Sequence, residues 1–462
     1  MSEPLRHAPF TPCFIHAALA IALTAGFGAA ALLAVLLGFG LPLEEWWLPL
    51  VQAHGYAQTF GWLGLFIMGV SLYFIPRFSG APLRFPSLPR WSCLLLAVSV
   101  AGRLLGQVWL SASPGEPARR WILGLAGVAG IAGVALYVFL LAASLGRTQP
   151  RHRAIREVKP YFLTALCGWL LSSLISGLAA IRAALRGAAL LDQVWSRLGL
   201  DLFLGLVLLP VAFAFSLRTF PLYLRLAPPR WPVRGFAFFY LAAFALEILP
   251  VLLLAGGAGS PLHALGKLAR GGAILFFVWN LDVLLRRRPP WTAYLEAAPA
   301  AGRRFHPLPR PELPDYGEFG RFERLLWAAY LWLSMTALLE AWNGAALLLA
   351  APAPWSEDLV RHLYLAGFGS LLLLGMAPRM IPGFLRVRRL AFPGLVDLSL
   401  YLGNAAALAR VAPVALAQFL PERFPVLGEI ASYLFGISGS LGWLAVLCLA
   451  VNLWATLGKR PS

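Results

Sequence analysis

The sequence predicts an all-α integral membrane protein, with about 12 transmembrane helices in a pseudo-threefold arrangement of three groups of four. Three observations support this fold class. Hydrophobic residues make up 60% of the chain and charged residues only 13%, and the mean hydropathy is +0.74. About twelve apolar runs approach the roughly 20 residues that span a bilayer. Related features recur every four helices. A soluble domain cannot bury so large an apolar fraction, so lipid is the first predicted partner.

Each apolar run is a predicted span, and a Pro- and Arg-rich stretch over 286–322 separates the eighth from the ninth. That stretch is predicted to be a cytoplasmic linker loop rather than a domain. In chain order the spans are predicted at 13–37, 48–75, 91–112, 121–145, 160–182, 198–222, 234–256, 262–285, 325–350, 359–384, 393–418 and 430–457.

The net charge of +18 reflects topology rather than nucleic-acid binding. Basic residues concentrate in alternate loops, for example at Arg286, Arg287 and Arg288, whereas an intervening loop carries Glu44 and Glu45. Loops that remain in the cytoplasm carry such an excess of arginine and lysine. With an even number of spans, this pattern predicts that both termini are cytoplasmic. No nucleic-acid partner is expected.

Two segments that lie 306 residues apart resemble each other. This shift places Gly61 on Gly367, Gly69 on Gly375 and Pro76 on Pro382 in the second and tenth predicted helices. The sixth helix ends in a similar way, at Phe220-Pro221. The recurrence predicts pseudo-repeats over 1–147, 148–285 and 323–462 within a single membrane domain, 1–462. The alternative is chance matching of Gly and Pro among apolar segments.

Each of the two matched segments carries one histidine near the start of its helix, His54 and His362. Because a helix rises 1.5 Å per residue, the two differ in depth by only a few ångströms. Two imidazoles at one depth in a membrane indicate the axial ligands of a haem. Under the shift His362 aligns with Tyr56, about 200° of helix rotation away from His54. Helices related by a pseudo-threefold axis need not present equivalent faces to one off-axis cofactor. The alternative is that both histidines are hydrogen-bonded within the bundle.

Other residues could complete a cofactor site. Gly61 would allow close approach to helix 2, although glycine is also common packing material in membranes. Arg361 is a candidate partner for a haem propionate. Arg103 and Arg410 are intramembrane cations that require a partner. We expect Glu247 to pair with one of them and a propionate with the other. A purely structural ion pair is the alternative.

Helix 8 carries His263, Lys267 and Arg270 on one stripe, because their spacings are four and three residues. The favoured interpretation is that these side chains snorkel to the interface. The alternative is an anion site or a second cofactor site, with His263 as a candidate metal ligand. Asp201, Glu340 and Asn343 are further intramembrane polar groups that could carry protons. The four cysteines have no close partner in sequence and are predicted to be packing residues.

The stretch from His54-Gly55-Tyr56 through Gly61-Trp62 to Gly69 and Pro76 resembles the NnrS family of integral membrane haem proteins. The segments 216–221 and 361–382 share this resemblance, and the layout covers nearly the whole chain. A more distant similarity is to subunit I of the haem–copper oxidases and nitric oxide reductases. That subunit has twelve helices in a pseudo-threefold arrangement and low-spin haem ligands on helices 2 and 10. By this similarity His54 and His362 are the bis-histidine pair.

The resemblance implies a multi-pass, bacterial inner-membrane protein that binds haem b and acts in nitric oxide or nitrogen-oxide metabolism or stress resistance. Nitric oxide or another diatomic ligand, and a respiratory-chain partner, are implied in the same way. Family members often have His-x-His in helix 2, where this chain has Tyr56, and helices 6 and 7 contain no histidine. There is thus no recognisable copper cluster, although the family is reported to contain copper, and reduction of oxygen or nitric oxide at a binuclear centre is not expected. The alternatives are a cofactor-free transporter with twelve spans and an accessory subunit of a respiratory complex.

Overall fold

The computed structural model describes residues 10–112, 117–147, 153–253, 259–288, 317–417 and 425–458. Within these ranges the chain is helical and contains no strand, as predicted. Most of the predicted 286–322 linker lies outside the described residues.

The described residues form twelve long helices, one at each predicted span. The bounds are α1 Cys13–Gly38, α2 Trp47–Ser79, α3 Pro89–Ala112, α4 Pro117–Leu145, α5 Arg153–Arg186, α6 Gln193–Tyr223, α7 Val233–Leu253, α8 Pro261–Leu281, α9 Phe322–Leu348, α10 Glu357–Phe384, α11 Gly394–Ala417 and α12 Pro425–Leu457. Eleven of them are long and apolar enough to cross a membrane. The remaining one is α8, whose first half carries His263, Lys267 and Arg270. The protein is therefore a multi-pass membrane protein.

The helix ends follow ordinary capping chemistry. Ser260 precedes α8 and accepts a hydrogen bond from the His263 amide, and Ser356 caps α10 through the Leu359 amide. These hydroxyls satisfy amide groups that have no partner within the helix. Helix α2 continues past Pro76 and ends before Gly80, whose φ of +64° favours glycine. The proline signature that the sequence places at helix ends thus lies within the last turn of the helix.

In the described part of the chain, four helices contain a π-helical stretch, in which the turns are wider than in an α-helix. These stretches are Ala22–Gly26 in α1, Ala57–Gly64 in α2, Phe203–Leu208 in α6 and Leu363–Ser370 in α10. The 306-residue shift that aligns the two sequences also places 57–64 on 363–370. Because π-helical insertions are rare and often mark functional sites, their coincidence supports a structural relation between α2 and α10.

The chain divides into two compact units. Unit 1 comprises Met1–Lys159, Leu163–Leu208 and Ala405–Trp454, and unit 2 comprises Pro160–Phe162, Leu209–Asn404 and Ala455–Ser462. Compact units and sequence repeats divide a chain on different criteria. The repeats over 1–147, 148–285 and 323–462 therefore stay a prediction.

Glycines allow close helix packing within both units. In unit 1 a Cβ on Gly69 would lie 2.6 Å from the Cβ of Phe14, so α1 and α2 meet closely there. In unit 2 a Cβ on Gly271 would lie 2.6 Å from the Ala337 carbonyl oxygen, and one on Gly266 would collide with the backbone of Glu247. Small residues let membrane helices approach in this way. The packing at Gly266 and Gly271 brings α7, α8 and α9 together around the charged residues of α8.

Candidate functional site

His54 lies in α2 and contacts the π-helical stretch of α1. Its ring atom Nδ1 is 2.9 Å from the carbonyl oxygen of Gly26, the last residue of that stretch. The ψ of Gly26 is −103°, outside the helical range. Since a carbonyl can only accept a hydrogen bond, Nδ1 must carry the proton. In the neutral ring Nε2 then holds the lone pair, which is the arrangement of a histidine that ligates a metal through Nε2.

His362 has the same ring arrangement in α10. Its Nδ1 is 2.8 Å from the carbonyl oxygen of Asp358 one turn earlier, and 3.4 Å from a carboxylate oxygen of the same residue. The δ-nitrogen again carries the proton, and the lone pair lies on Nε2. The two histidines that the sequence singles out therefore share a tautomer, each fixed by a main-chain carbonyl.

A polar network in unit 1 surrounds the turn of α2 that carries His54. We call it the Arg103 network, and it consists of Gln52, Tyr56, Ser99, Arg103 and Gln107. Arg103 donates from Nε to the Gln107 side chain at 3.2 Å, and Gln107 donates to Gln52 at 3.1 Å. Ser99 donates to the Ala126 carbonyl at 2.7 Å, so the Tyr56 hydroxyl at 3.0 Å is the donor to Ser99.

The Arg103 guanidinium is buried without a carboxylate among its described contacts. It donates from Nη1 to the Ser176 carbonyl at 3.2 Å, and its Cζ lies 4.2 Å from the centroid of the Tyr56 ring. The pairing of Glu247 with Arg103 or Arg410 stays a prediction; the described ion pairs of Glu247 are with Lys267 and Arg270 of α8. Helix α8 is packed against α7 at Gly266, and this backbone contact determines the pairing.

Unit 2 contains a second network, made largely of ions. We call it the ion network, and it consists of Glu247, Lys267, Arg270, Glu340, Glu357 and Tyr364. Lys267 Nζ lies 3.0 Å from Glu357 and 3.7 Å from Glu247. Arg270 Nε lies 2.9 Å from Glu247, and Arg270 Nη2 contacts Glu340. The Tyr364 hydroxyl donates to the other oxygen of Glu340 at 2.5 Å.

Burial distinguishes the two ends of the ion network. The side chains of Lys267 and Arg270 are each 6% exposed and that of Glu340 is 1% exposed, whereas Glu357 at the start of α10 is 53% exposed. The favoured interpretation, that α8 snorkels its charges to the interface, is therefore wrong for Lys267 and Arg270. Arg361, predicted to bind a propionate, lies 3.7 Å from Glu357. When Arg361 is included, the ion network has three carboxylates (Glu247, Glu340, Glu357) and three cations (Lys267, Arg270, Arg361).

The other predicted site residues have defined surroundings. The buried His263 places its Nδ1 2.8 Å from the Glu247 carbonyl oxygen. Arg410 lies over the Phe435 ring at 4.4 Å. A Cβ on Gly61 would meet Ile21 of α1 and Val100 of α3, so Gly61 is a packing glycine in this structure. By contrast, a Cβ on Gly55, next to His54, would meet no atom within 4 Å.

The described part of the chain holds no group of three or more His, Cys, Asp or Glu side chains that could bind a metal ion. Cys13 and Cys93, which the sequence predicts as separate packing residues, have thiols that form a hydrogen bond with each other. Nothing in the described residues adds a third sulfur or imidazole to that pair. A protein-only metal cluster is therefore not seen in this part of the chain.

Sequence reasoning missed the two tyrosines and the glutamines. Tyr56 and Tyr364 each stand two residues after a candidate ligand, in His54-Gly55-Tyr56 and His362-Leu363-Tyr364. This shared spacing was a usable signal, but the 306-residue alignment obscures it because it places His362 on Tyr56. Gln52 gave no signal, since its partners are the Leu191 amide and carbonyl, 139 residues away.

The fold is similar to that of a known membrane oxidase. The chain aligns with a chain in the cryo-EM structure of a heme-copper terminal oxidase dimer with a TM-score of 0.69 and 13% identity, over 98% of this chain and 84% of that chain. No protein-family model matches this chain, and no curated protein sequence matches it either. The predicted similarity to the haem–copper oxidases is thus confirmed at the level of the fold, and the resemblance to the NnrS family stays a prediction.

Proposed function

We propose that this protein is a b-type haem protein of the bacterial inner membrane that acts in nitric oxide or nitrogen-oxide metabolism. His54 and His362 are the proposed axial ligands. The observation that carries the proposal is the common state of the two rings: Nδ1 of each is hydrogen-bonded to a main-chain carbonyl, so Nε2 holds the lone pair. The similarity of the fold to a heme-copper terminal oxidase supports the same assignment.

The donor chemistry fits a haem. Two neutral imidazoles are the ligand set of a low-spin bis-histidine iron, and a carbonyl on the second nitrogen fixes the ring orientation and raises its basicity. Gly55 leaves space beside His54. Arg103, Arg361 and Arg410 are the proposed propionate partners. Arg103 is the strongest of them, because its described contacts are all uncharged. Gly61 stays a predicted approach surface, although its neighbours in the structure are side chains of α1 and α3.

Haem would supply a one-electron centre, and binding of a diatomic ligand to its iron would require one of the two histidines to dissociate. The protein's own residues would hold and orient the two imidazoles, provide cations for the propionates, and keep water out through the apolar helices around them. Copper has no recognised ligand set among the described residues. The proposal therefore includes no reaction at a second metal.

The test is the absorption spectrum of protein purified from haem-replete cells. We expect a Soret band that shifts on reduction and is lost in His54→Ala and in His362→Ala. The control is His16→Ala, because His16 is an exposed histidine on α1. The variants His54→Gly and His362→Gly should recover a low-spin spectrum when imidazole is added, which separates loss of a ligand from misfolding. A folded but colourless wild-type protein would contradict the proposal.

A transporter without cofactor is the second candidate. The ion network favours it, because buried ionisable side chains in membrane helices often line substrate or ion pathways. The same purification separates the two candidates. A colourless protein that carries an ion or solute across vesicle membranes, and loses this transport in Glu340→Gln, would support the transporter.

A further inference from the structure

We infer that Tyr56 and Tyr364 are positioning residues, which fix the rotation of the helix turns that carry His54 and His362. This inference rests on the proposed function and extends it to residues that are not themselves ligands. Its starting point is the repeated sequence His-x-Tyr in α2 and α10. Tyrosine accounts for only 12 of 462 residues, so a tyrosine at the same offset from both histidines is not expected by chance.

The His-x-Tyr sequence occupies a different position relative to the π-helical stretch in each helix. His54 lies three residues before the stretch of α2, which begins at Ala57, and His362 lies one residue before the stretch of α10, which begins at Leu363. The histidine is thus displaced by two residues between the helices, and the tyrosine is displaced with it. The offset between histidine and tyrosine is the same in both helices, whereas the position of the pair relative to the π-helical stretch differs.

The contacts explain why this spacing matters. Two residues correspond to about 200° of helix rotation, so the tyrosine projects from nearly the opposite side of the helix to the histidine. In unit 1, His54 contacts the Gly26 carbonyl of α1, while Tyr56 bonds to Ser99 of α3. The helix turn is therefore bonded on both sides, and rotation of the turn about the helix axis would break these bonds.

In α10 the tyrosine is also bonded to a neighbouring helix, whereas the carbonyl that binds His362 belongs to α10 itself. Tyr364 donates to Glu340 of α9, and Arg270 of α8 lies 5.8 Å from the centroid of its ring. In unit 1 the corresponding cation is Arg103, 4.2 Å from the Tyr56 ring. Each tyrosine is buried, hydrogen-bonded to a neighbouring helix and adjacent to a buried guanidinium. Such bonds to the surroundings of a ligand set its orientation.

The test compares Tyr56→Phe and Tyr364→Phe with two matched controls. Tyr137 and Tyr330 are also buried and hydrogen-bonded to a serine on another helix, Ser71 at 2.8 Å and Ser216 at 2.5 Å, but neither follows a histidine. Tyr137→Phe and Tyr330→Phe therefore measure the general effect of losing a buried tyrosine hydroxyl. The readouts are the rate of haem transfer to apomyoglobin and the electron paramagnetic resonance g values of the oxidised haem, which report the orientation of the imidazole planes.

We expect haem transfer to be up to about tenfold faster in Tyr56→Phe and Tyr364→Phe, the lower end of the 10- to 100-fold effect of a direct outer-shell partner, because each tyrosine holds the helix turn and not the imidazole itself. Their g values should also shift, and both controls should stay close to the wild type. Haem transfer and g values equal to those of the controls would overturn the inference while leaving the haem assignment intact. A colourless wild type would overturn the haem assignment and the inference together. If Tyr364→Phe does not fold, Tyr56→Phe against Tyr137→Phe decides alone.

Discussion

The two units surround their candidate ligands with different electrostatics. The Arg103 network in unit 1 contains one ion and otherwise amides, hydroxyls and main-chain carbonyls. The ion network in unit 2 contains carboxylates and cations in direct contact. Both networks provide hydrogen-bond acceptors for a buried guanidinium that lies beside a tyrosine ring. A buried guanidinium in a membrane protein can thus be stabilised either by neutral dipoles or by pairing with carboxylates.

The two solutions should respond differently to the loss of one side chain. In the ion network three carboxylates compensate three cations, so removing one buried ion leaves a net charge inside the network. In the Arg103 network, removing the cation leaves only neutral groups. The most direct way to test the comparison is therefore to remove single charges from each network and compare the stability of the variants.

The largest effect is expected for Glu340→Ala. This change removes the carboxylate that contacts Arg270 and accepts from Tyr364, both deeply buried. Breaking a buried ion pair by removing one partner typically costs about 3–5 kcal/mol. The free energy of unfolding, measured in detergent micelles with a chemical denaturant, should fall by this amount. The double variant Arg270→Met with Glu340→Met should recover part of the loss, and strictly additive losses would argue against direct pairing.

Arg103→Met should destabilise the protein less than Glu340→Ala. The change removes hydrogen bonds from a charged donor to the Gln107 side chain and the Ser176 carbonyl. Such bonds contribute about 1.5–3 kcal/mol, and part of this returns because a buried cation is no longer desolvated. We expect a loss of about 1–2 kcal/mol in the same denaturant measurement. A loss as large as that of Glu340→Ala would mean that Arg103 also compensates a negative charge.

Much of the fold was accessible from the sequence. The positions of the helices follow from the lengths of the apolar runs, since each run must satisfy its own backbone in lipid. The Lys267–Arg270 stripe also follows from helical spacing. The partners of these residues could not be predicted, because Glu247 reaches them through the backbone contact at Gly266. Similarly, no local pattern indicates that Gln52 of α2 bonds to the loop residue Leu191.

The exposed end of the ion network should tolerate change better than its centre. Glu357→Gln removes a carboxylate that contacts Lys267 at 3.0 Å, but this carboxylate is 53% exposed. Exposed ion pairs contribute only about 0–1 kcal/mol, and Glu247 remains near Lys267 to compensate its charge. We expect a loss of about 1 kcal/mol or less, reduced further in high salt. The matched control is Glu340→Gln, whose loss should be several times larger and insensitive to salt.

The smallest effect concerns Asp282, which lies just beyond the end of α8 and shows how a carboxylate behaves outside the spans. Burial alone would raise its pKa, but hydrogen bonds from the Arg287 and Arg288 amides and the Arg287 side chain lower the pKa below its ordinary value of 3.8. Since the pKa is lower in the folded state, the carboxylate stabilises the protein above pH 3.8. That contribution disappears as the pH falls through the folded-state pKa. Asp282→Asn should therefore reduce stability slightly at pH 7 and make the remaining stability less dependent on pH below about 4. The check is the denaturant midpoint of both proteins between pH 3 and pH 7, and parallel pH profiles for the two would show that Asp282 does not stabilise the folded state as a carboxylate.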